Sequence, residues 1–316
     1  MKLLVTGASG FTGTALIRSL FPDKDILITG ITRGTKFPSV SETGVRWVTA
    51  DILDRDSLCE IVSSLQPDAV IHLAGLTQGS PADLFTTNIC GTQNILEATA
   101  RANPECRILV TSSSAVYGYT GVSPITEADP IQPLTEYGAA KAGLEILAQM
   151  HHRARGSHIA IVRPFNLVGP GQTTAFLCGK IVRQVVEIEK GIRDEINLFE
   201  TQSSRDFIDV RDVVRAYRAL ITHPRFADEC AGNIFNIGSG RSCAIAEVIA
   251  TLEKITGSTL TVRLPDKPAH ITIPSQQSDN TRINRLTGWA PRIPMEETLR
   301  DMLAAEMGTE IKKLTS

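Results

Sequence analysis

The sequence has 316 residues, of which 42% are hydrophobic and 21% charged, and a formal net charge of −2. It has no basic surplus, no acidic tract and no apolar stretch as long as a membrane span. The composition therefore excludes nucleic-acid binders, disordered acidic tails and integral membrane proteins, so neither a nucleic acid nor a membrane is expected as a partner.

The cysteines and histidines predict free thiols and no metal site. The six cysteines have no CxxC pair and no matching histidine: Cys59, Cys90, Cys106, Cys178, Cys230 and Cys243. His151 and His152 are adjacent rather than one helical turn apart, so a shared metal ion is not expected. The apolar run of MKLLVTGASG is broken by glycine too early for a secretory signal. We expect a cytoplasmic protein, because thiols stay reduced there.

Short apolar strands alternate with amphipathic segments through the first half of the chain. Each of the following runs suits a buried strand: KLLVTG, DILITGITR, VRWVTA, DAVIHLAG, RILVTSSS and HIAIVRP. Helical patterns lie between them, at Thr14–Phe21, Asp56–Leu65, Ala82–Ala102 and Tyr137–Arg153. This alternation predicts an α/β fold, a Rossmann-like doubly wound parallel sheet with helices on both faces.

The alternation becomes less regular after about Pro164. Glycine and proline cluster in NLVGPGQ and in RLPDKPAHITIP, while GNIFNIG suits a strand that returns to the sheet. We therefore predict a NAD(P)-binding Rossmann domain at residues 1–163, with a return strand near 233–238. Residues 164–316 are predicted to form a smaller C-terminal α/β substrate domain.

A glycine-rich loop follows the first predicted strand. GASGFTG places Gly7, Gly10 and Gly13 three residues apart, between KLLVTG and the next helix. Gly7 would permit the tight turn, Gly10 the close approach of a pyrophosphate, and Gly13 close packing of the helix on the strand. The N–H groups at the start of the helix would then face the phosphates. The alternative is a helix cap in which the glycines serve the turn alone.

The end of the second predicted strand indicates which dinucleotide binds. Enzymes that use NAD commonly have an acidic residue there for the ribose 2′-hydroxyl, whereas an arginine suits a 2′-phosphate. GITRG has Arg33 at this position, which favours NADP(H) over NAD(H), although a solvated arginine fits the same pattern. Asp51 and Ile52, after the next strand, are expected at the adenine edge; Asp51 is also a good helix cap.

A tyrosine and a lysine lie one helical turn apart in TEYGAAK. Tyr137 and Lys141 share a face of the predicted helix, with only small residues between them, although a packed ring beside a solvated amine has the same spacing. RILVTSSS ends in three serines at the sheet edge where ligands bind. If a serine meets the phenol there, we expect Lys141 to lower the pKa of Tyr137, and the group suits proton donation to a ketone.

The order of the motifs resembles the extended short-chain dehydrogenases/reductases of the nucleotide-sugar epimerase, dehydratase and reductase group. The matching stretches cover nearly the whole chain: GASGFTG, DILD, HLAG, SSSAVYG, YGAAK, RPFNLVGPGQ, RDFIDVRDVVRAY and TGWAPRIPMEETL. The resemblance implies a Rossmann-like domain, bound NAD(P) and a nucleotide-sugar substrate. It also implies that Ser113, Tyr137 and Lys141 are catalytic, and that Lys141 holds the nicotinamide ribose.

The resemblance implies further contacts on both sides of the catalytic group. Besides the residues already named, the cofactor is expected to contact Phe11, Thr12, Leu73, Ala74, Gly75 and Pro164. The substrate is expected to contact Thr77, Ser114, Asn166, Arg205 and Arg282. Asn166 would face the sugar or the diphosphate, and Arg205 would bind the nucleotide diphosphate, whose geometry suits a charge-assisted contact. No metal is implied.

Departures from other branches of the family favour a ketoreductase. The 4,6-dehydratases carry an acid two residues after the catalytic serine or threonine, where this chain has Ala115, and the 3,5-epimerase/reductases use a histidine that GQTTAF lacks. RPFNLVGPGQTTAF is most similar to the GDP-4-keto-6-deoxy-D-mannose reductases, which form GDP-D-rhamnose. We therefore expect NADPH-dependent reduction of a nucleotide-linked 4-keto-6-deoxyhexose, with GDP favoured. The family's nucleotide-binding Arg-Pro-x-Glu departs here to KPAHITIP, with His270 in place of the acid.

Two alternatives remain open. A nucleotide-sugar 4-epimerase would use the same catalytic residues with tightly bound NAD, which Arg33 disfavours. A non-catalytic, cofactor-binding regulator would keep the fold, but the intact Ser113, Tyr137 and Lys141 argue against it. In relatives the two helices at Ala82–Ala102 and Tyr137–Arg153 form the dimer bundle, so the resemblance implies a homodimer.

Overall fold

A seven-stranded parallel sheet forms the centre of the molecule. The computed structural model describes residues 1–34, 44–121, 124–266 and 273–308. The strands are β1 Lys2–Thr6, β2 Leu27–Thr32, β3 Arg46–Thr49, β4 Ala69–His72, β5 Arg107–Thr111, β6 His158–Pro164, β7 Asn166–Val168, β8 Ile196–Asn197, β9 Ser204–Arg205, β10 Phe207–Asp209, β11 Ile234–Ile237, β12 Cys243–Ala244 and β13 Val262–Arg263. The main sheet has the order β11-β6-β5-β4-β1-β2-β3, and all its neighbouring pairs are parallel.

This strand order confirms the predicted Rossmann-like fold. The order reverses between β1 and β4, which creates the crevice where ligands of such sheets bind. The segment GNIFNIG contains β11, which pairs with β6 so that Ile234 lies opposite Ile161. Side chains along β1 alternate between the faces, because successive residues of a strand point in opposite directions: Leu3 and Val5 enter one core and Leu4 the other.

Helices cover both faces of the sheet. They are α1 Phe11–Leu20, α2 Arg55–Leu65, α3 Pro81–Phe85, α4 Gly91–Ala102, α5 Glu136–Arg155, α6 Leu177–Glu189, α7 Val210–Ile221, α8 Ile245–Thr256, α9 Thr281–Thr287 and α10 Met295–Met307. On one face α1 and α7 bury Leu16, Val213 and their neighbours. On the other face α2, α4 and α5 bury Val62, Ile95 and Leu144. Within the described ranges, no helix has the length and apolar character needed to cross a membrane.

The helices that flank the cleft begin and end with local signals. Thr135 caps α5 by accepting a hydrogen bond from the Gly138 N–H, and Gly156, in the left-handed region at φ 70°, ends it. The predicted helix at Ala82–Ala102 is divided into α3, a π-helical turn at Thr86–Cys90, and α4. Such turns are often found near functional sites. This one includes Thr87, which lines a cavity at the end of the sheet.

The residues after β6 build a second unit with a core of its own. There α6, α8 and α10 bury Val182, Leu252 and Leu299, and six short strands form three two-stranded sheets. The chain also returns to the main sheet, because α7 packs on α1 and β11 pairs with β6. The division into two domains, residues 1–163 and 164–316, therefore remains a proposal. Its boundary lies at the end of β6, where the chain first leaves the main sheet.

Three buried aspartates in RDFIDVRD join distant segments of the second unit. Asp206 accepts hydrogen bonds from the main chain and the hydroxyls of Ser239 and Ser278, and from the Gly240 N–H. Asp209 caps α7 and accepts from the Thr298 hydroxyl. Asp212 accepts from the main-chain N–H groups of Arg292 and Ile293. The three carboxylates therefore have a structural role.

Candidate active site

Two adjoining cavities form one cleft where the strands of the main sheet end. One, of about 620 Å³, is lined by residues from Gly7 to Thr87, and the other, of about 640 Å³, by residues from the glycine loop to Gln276. Both are lined by Gly7, Gly10, Leu73 and Gly75. The cleft is therefore continuous across the loops that follow β1 and β4, as expected for a dinucleotide site.

In the glycine loop, Gly7 and Gly13 allow close backbone packing, whereas Gly10 leaves room for a ligand. Gly7 has φ +66°, and a Cβ there would lie 2.8 Å from the Ala74 nitrogen. A Cβ on Gly13 would lie 2.4 Å from the Gly7 carbonyl oxygen, so both positions require glycine. At Gly10 a Cβ would meet that oxygen at 3.2 Å and otherwise, among the described residues, open space. Gly10 is the N-cap of α1 and has no side chain to bond the first N–H groups of the helix. These N–H groups are therefore available to a pyrophosphate.

The smaller cavity has the character of an adenosine site with a basic end. It is lined by Thr32, Arg33 and Gly34 on one side and by Ile52 and Ala74 on the other. Arg33 is exposed. Asp51 does not line it in the described structure; its carboxylate accepts a hydrogen bond of 2.9 Å from the Leu53 N–H. Of the two residues expected at the adenine edge, Ile52 therefore borders the cavity and Asp51 does not.

The larger cavity brings Ser113 and Tyr137 together. Ser113 follows β5 and caps a short 3₁₀ turn, where its hydroxyl accepts from the Ala115 N–H at 3.1 Å. Tyr137 lies in the first turn of α5, and its phenol is near enough to the Ser113 side chain for the serine to lower its pKa. A serine from the sheet edge therefore meets the phenol, the arrangement that suits a carbonyl oxygen between two hydroxyls.

The pKa of Tyr137 is raised from its usual value, because burial disfavours the phenolate; the Ser113 side chain lowers it by less. The expectation that Lys141 lowers this pKa is therefore not met, and Ser113 supplies the lowering effect. The reason is that sequence spacing shows the neighbouring cation but not the loss of water around the ring. A phenol that stays protonated at neutral pH is a proton donor.

Lys141 is held beside Tyr137 by the end of β5. Its Nζ donates a hydrogen bond of 2.8 Å to the Thr111 carbonyl oxygen and lies 5.9 Å from the centre of the Tyr137 ring. Only 6% of the residue is exposed. Burial lowers the pKa of Lys141 to about 8, against the opposing effect of the Glu145 carboxylate one turn further along α5.

A buried ion pair beneath this group has no counterpart in the sequence prediction. Glu145 accepts hydrogen bonds of 2.9 and 2.7 Å from Arg163 on β6, and one of 2.5 Å from the Ser112 hydroxyl. Both side chains of the pair are 2% exposed, and the guanidinium carbon lies 4.6 Å from the centre of the Tyr117 ring. The pair joins α5 to β6 and to Ser112, the residue that follows β5.

His72 supports the loop after β4. The Thr92 hydroxyl donates to the Asn88 carbonyl oxygen, so it accepts the hydrogen bond of 3.1 Å from His72 Nε2. His72 Nδ1 then accepts from the Thr6 hydroxyl at 2.7 Å, and the Thr6 oxygen accepts from the Ala74 N–H. Burial, aided by Lys141, lowers the pKa of His72 to about 3, so the ring is neutral. This fixed tautomer holds the HLAG loop against the cleft.

Comparison with known proteins identifies the family. The family model described as GDP-mannose 4,6 dehydratase matches residues 4–302. The chain belongs to this family. The match confirms the resemblance to nucleotide-sugar short-chain dehydrogenases/reductases and the expectation of an NAD(P)-dependent enzyme.

Individual members of the GDP-mannose 4,6 dehydratase family differ in their reactions. The GDP-6-deoxy-D-mannose reductase of Pseudomonas aeruginosa is 31% identical, over 96% of this chain and 96% of its own. RMD from Pseudomonas aeruginosa, solved in complex with NADPH, is 29% identical with a TM-score of 0.82, over 97% of this chain and 99% of its own. UDP-glucuronic acid 4-epimerase from Bacillus cereus, solved with UDP-glucuronic acid and NAD, is 25% identical with a TM-score of 0.86, over 98% and 99%.

Many of the residues expected to contact the cofactor or the substrate line the larger cavity. Besides the catalytic group, the lining includes Phe11, Thr12, Thr77, Ser114, Pro164, Asn166 and Arg205. The Arg205 guanidinium donates to the carbonyl oxygens of Ser204 and Ile273 at 2.9 and 2.8 Å. Burial lowers the pKa of Arg205, with the Glu200 charge opposing. The described lining of the larger cavity has no aspartate or glutamate, so its Arg205 side suits an anionic ligand.

The structure does not bring Arg282 to this cleft. It lines a separate open cavity of about 840 Å³ with Thr126 and Glu127, and it donates a hydrogen bond to the Ile234 carbonyl oxygen. The order of a motif gives the position of a residue in the chain but not the side on which its helix presents it, so the substrate contact of Arg282 stays a prediction that this cavity does not support. His270 lies outside the described residues.

Several cleft residues were not found from the sequence. The following also line the larger cavity: Gln78, Gln172, Phe176, Tyr217 and Gln276. Gln172 is the one that had a local signal, because it closes the GPGQ turn: its side chain accepts from the Gly179 N–H of α6 and donates to the Leu167 carbonyl oxygen. Tyr217 lies within a periodic apolar helix, where its position predicts only burial.

Proposed function

We propose that the protein is a 4-ketoreductase of nucleotide sugars. The proposed reaction is the NADPH-dependent reduction of GDP-4-keto-6-deoxy-D-mannose to GDP-D-rhamnose. The similarity to a GDP-6-deoxy-D-mannose reductase over 96% of both chains supports the sugar and the GDP group. The proposed site consists of Ser113, Tyr137 and Lys141, with Asn166 and Arg205 as substrate contacts.

One observation carries the reaction type. The larger cavity brings Ser113, Tyr137 and Lys141 together, and its described lining contains no aspartate, glutamate or histidine. Ala115 lies in this lining where a dehydratase would need an acid. Elimination of water from a sugar requires a further acid or base, whereas reduction of a ketone requires a single proton donor. The cleft therefore favours reduction over dehydration.

The residues of the chain divide the work of the reduction between them. A reduced nicotinamide dinucleotide bound in the cleft supplies the hydride for the carbonyl carbon. The Tyr137 phenol donates its proton to the carbonyl oxygen, which the Ser113 hydroxyl holds through a second hydrogen bond. Lys141, fixed by the Thr111 carbonyl oxygen, keeps a positive charge beside the phenol as it loses its proton.

The proposed preference for NADPH depends on Arg33. Its side chain lies at the end of the smaller cavity, next to Thr32 and Gly34, and the described lining of that cavity has no acidic residue for a ribose 2′-hydroxyl. A guanidinium at this position would pair with a 2′-phosphate. The complex of RMD with NADPH is consistent with this preference, and the NAD complex of the epimerase is the contrary example.

Purified protein incubated with NADPH and a panel of GDP-, dTDP- and UDP-4-keto-6-deoxy sugars tests the function. We expect NADPH to be consumed fastest with the GDP-linked sugar, and about 10²- to 10⁴-fold more slowly by the Tyr137→Phe variant. A 4-epimerase, the second candidate, would purify with NAD and interconvert nucleotide sugars without consuming added NADPH. If the protein turned over none of these sugars, the remaining candidate would be a non-catalytic, cofactor-binding regulator.

We also infer a homodimer, formed through α5 and the interrupted helix made of α3 and α4. These two helices pack against each other and carry large apolar side chains at the surface: Ile146 is 66% exposed, Phe85 38% and Met150 36%. Covering such a surface favours association.

All six cysteines are free thiols, which supports a reducing, cytoplasmic location.

A further inference from the structure

Gln276 presents an unpaired acceptor to the larger cavity. Its side chain lines that cavity, although only 5% of the residue is exposed. The Nε2 atom donates a hydrogen bond of 3.3 Å to the Gly118 carbonyl oxygen. Among the described residues the Oε1 atom meets no donor, and it is not one of the fully shielded polar atoms. This oxygen is therefore open to the cavity and available to a ligand.

The bond to Gly118 determines which end of the Gln276 amide faces the ligand. A carbonyl oxygen only accepts, so the amide presents its NH₂ group to Gly118 and its oxygen to the cavity. The opposite orientation would place two oxygens 3.3 Å apart. A buried acceptor without a donor costs free energy until a ligand supplies one. Gln276 therefore selects an O–H or N–H group over a carboxylate or an ionised phosphate, which only accept.

The contacts of Gln276 place it between the two ends of the proposed substrate site. Its main-chain N–H donates to the carbonyl oxygen of Ser204 at 3.1 Å, and the neighbouring Arg205, the proposed diphosphate contact, lines the same cavity. At the far end of its side chain, Gly118 follows the short segment that begins with Ser113. The side chain therefore reaches from the phosphate side of the cavity toward the catalytic group.

The hexose is the part of a nucleotide sugar that spans this interval. It joins the diphosphate at C1 and, in the proposed substrate, has its carbonyl group at C4, so the hydroxyls at C2 and C3 are the donors between them. The base and the ribose lie beyond the diphosphate. We propose that Gln276 is a specificity-determining residue that accepts a hydrogen bond from a ring hydroxyl of the hexose. The assignment rests on the proposed nucleotide-sugar substrate but not on the identity of its base, and the family motifs do not imply it.

Binding of the product and of its nucleotide separates a contact to the hexose from all others. Gln276→Met removes the acceptor and keeps the length of the side chain. We expect this variant to weaken the dissociation constant for GDP-D-rhamnose about tenfold, the scale of one lost hydrogen bond. The dissociation constant for GDP, which lacks the hexose, should stay unchanged. Isothermal titration measures both constants.

The same pair of ligands distinguishes a failure of this assignment from a failure of the proposed function. If wild type binds no GDP ligand, the proposed nucleotide is wrong. The nucleotide sugar that binds most tightly, with its own nucleoside diphosphate, then serves as the matched pair. If wild type binds no nucleotide sugar at all, both the function and the assignment are wrong.

Gln277→Met is the matched control. Gln277 also donates to a main-chain carbonyl oxygen, that of Gly240 at 2.9 Å, but it lies outside the described lining of the larger cavity. Each variant loses one such bond, so both should lower the melting temperature, whereas only Gln276→Met should weaken binding of the sugar. An unchanged dissociation constant for GDP-D-rhamnose in Gln276→Met would overturn the assignment, as would equal losses for GDP-D-rhamnose and GDP.

Analogues that lack one hydroxyl identify the group that Gln276 contacts. Wild type should bind either the 2-deoxy or the 3-deoxy form of GDP-D-rhamnose about tenfold more weakly than the parent. Gln276→Met should bind that form and the parent equally, because the two partners of one hydrogen bond are coupled. If Gln276→Met discriminates against the analogues as strongly as wild type does, another residue binds the hydroxyl and the assignment is wrong.

Discussion

The ammonium group of Lys141 donates a hydrogen bond of 2.8 Å to the carbonyl oxygen of Thr111, which joins α5 to the end of β5. The bond sets the direction of the side chain, so the charge stays 5.9 Å from the centre of the Tyr137 ring. The same burial that fixes this lysine lowers its pKa from 10.5 to about 8. The site therefore has a cation whose charge depends on pH near neutrality.

We expect kcat/KM for NADPH to fall as the pH rises through about 8. The pKa of Lys141 is lowered by burial, so its charge is present below about 8 and lost above it, whereas an exposed lysine would keep its charge to about 10. Without this charge, loss of a proton from Tyr137 is no longer supported. A pH profile of kcat/KM measures the effect, because it reports ionisations of the free enzyme.

The Lys141→Arg variant identifies the source of that pH dependence. A guanidinium keeps its proton throughout this range, so the fall near pH 8 should disappear whatever the absolute rate. If kcat/KM for NADPH still falls near pH 8 in Lys141→Arg, then a group other than Lys141 causes the fall. The melting temperature of both proteins, followed over the same pH range, shows whether unfolding contributes.

Replacing Tyr137 by phenylalanine should lower kcat by about 10²- to 10⁴-fold, the usual contribution of a positioned proton donor. The dissociation constant for NADPH should change little, since the ring remains and the phenol is assigned to the carbonyl oxygen. Stopped-flow turnover and equilibrium binding measure the two quantities. Tyr117→Phe, which alters a buried phenol outside the cleft lining, should keep wild-type kcat. Wild-type turnover by Tyr137→Phe would exclude this residue as the donor.

The sheet, the glycine loop and the Tyr137–Lys141 pair were predictable because their signals are local. Strand periodicity, glycine spacing and the i, i+4 pair of Tyr137 and Lys141 each occupy a few neighbouring residues. The order of strands then places their ends together, since carboxyl ends of parallel strands meet at one edge. Local pattern was sufficient to predict the cleft and to place Tyr137 and Lys141 in its lining, whereas Ser113 was chosen among three serines by its resemblance to the family motif.

The remaining features depend on contacts between distant residues. Glu145 and Arg163 look like surface charges in the sequence, and only the packing of α5 on β6 makes them a buried pair. The π-helical turn at Thr86–Cys90 interrupts a helix whose sequence has no glycine or proline at that point. The raised pKa of Tyr137 likewise follows from burial, which spacing does not reveal.

We expect Arg33→Ala to weaken NADPH binding about tenfold while leaving NADH binding nearly unchanged, because a charge-assisted bond to the 2′-phosphate is lost. Isothermal titration of both cofactors measures the ratio of dissociation constants. Arg101→Ala removes another exposed arginine, at the end of α4, and should change neither constant. Equal losses for NADPH and NADH in Arg33→Ala would remove the argument for the 2′-phosphate.

The Glu145→Gln variant should be strongly destabilised. Removing the charge leaves the Arg163 guanidinium buried and uncompensated, which typically costs about 3 to 5 kcal/mol in the free energy of unfolding. The amide also loses the capacity to accept from both Arg163 nitrogens and from the Ser112 hydroxyl at once. Urea unfolding followed by circular dichroism measures the difference from wild type.

The matched control is Glu97→Gln, because Glu97 also pairs with arginines but at the surface. Its partners Arg55 and Arg155 have side chains that are 49% and 45% exposed. Water and salt screen such pairs, so this variant should lose no more than about 1 kcal/mol. Glu145→Gln should in addition move the fall in kcat/KM to lower pH, since the Glu145 charge raises the pKa of Lys141. If Glu145→Gln loses stability but kcat/KM falls at the wild-type pH, then Glu145 stabilises the fold without affecting the ionisation of Lys141.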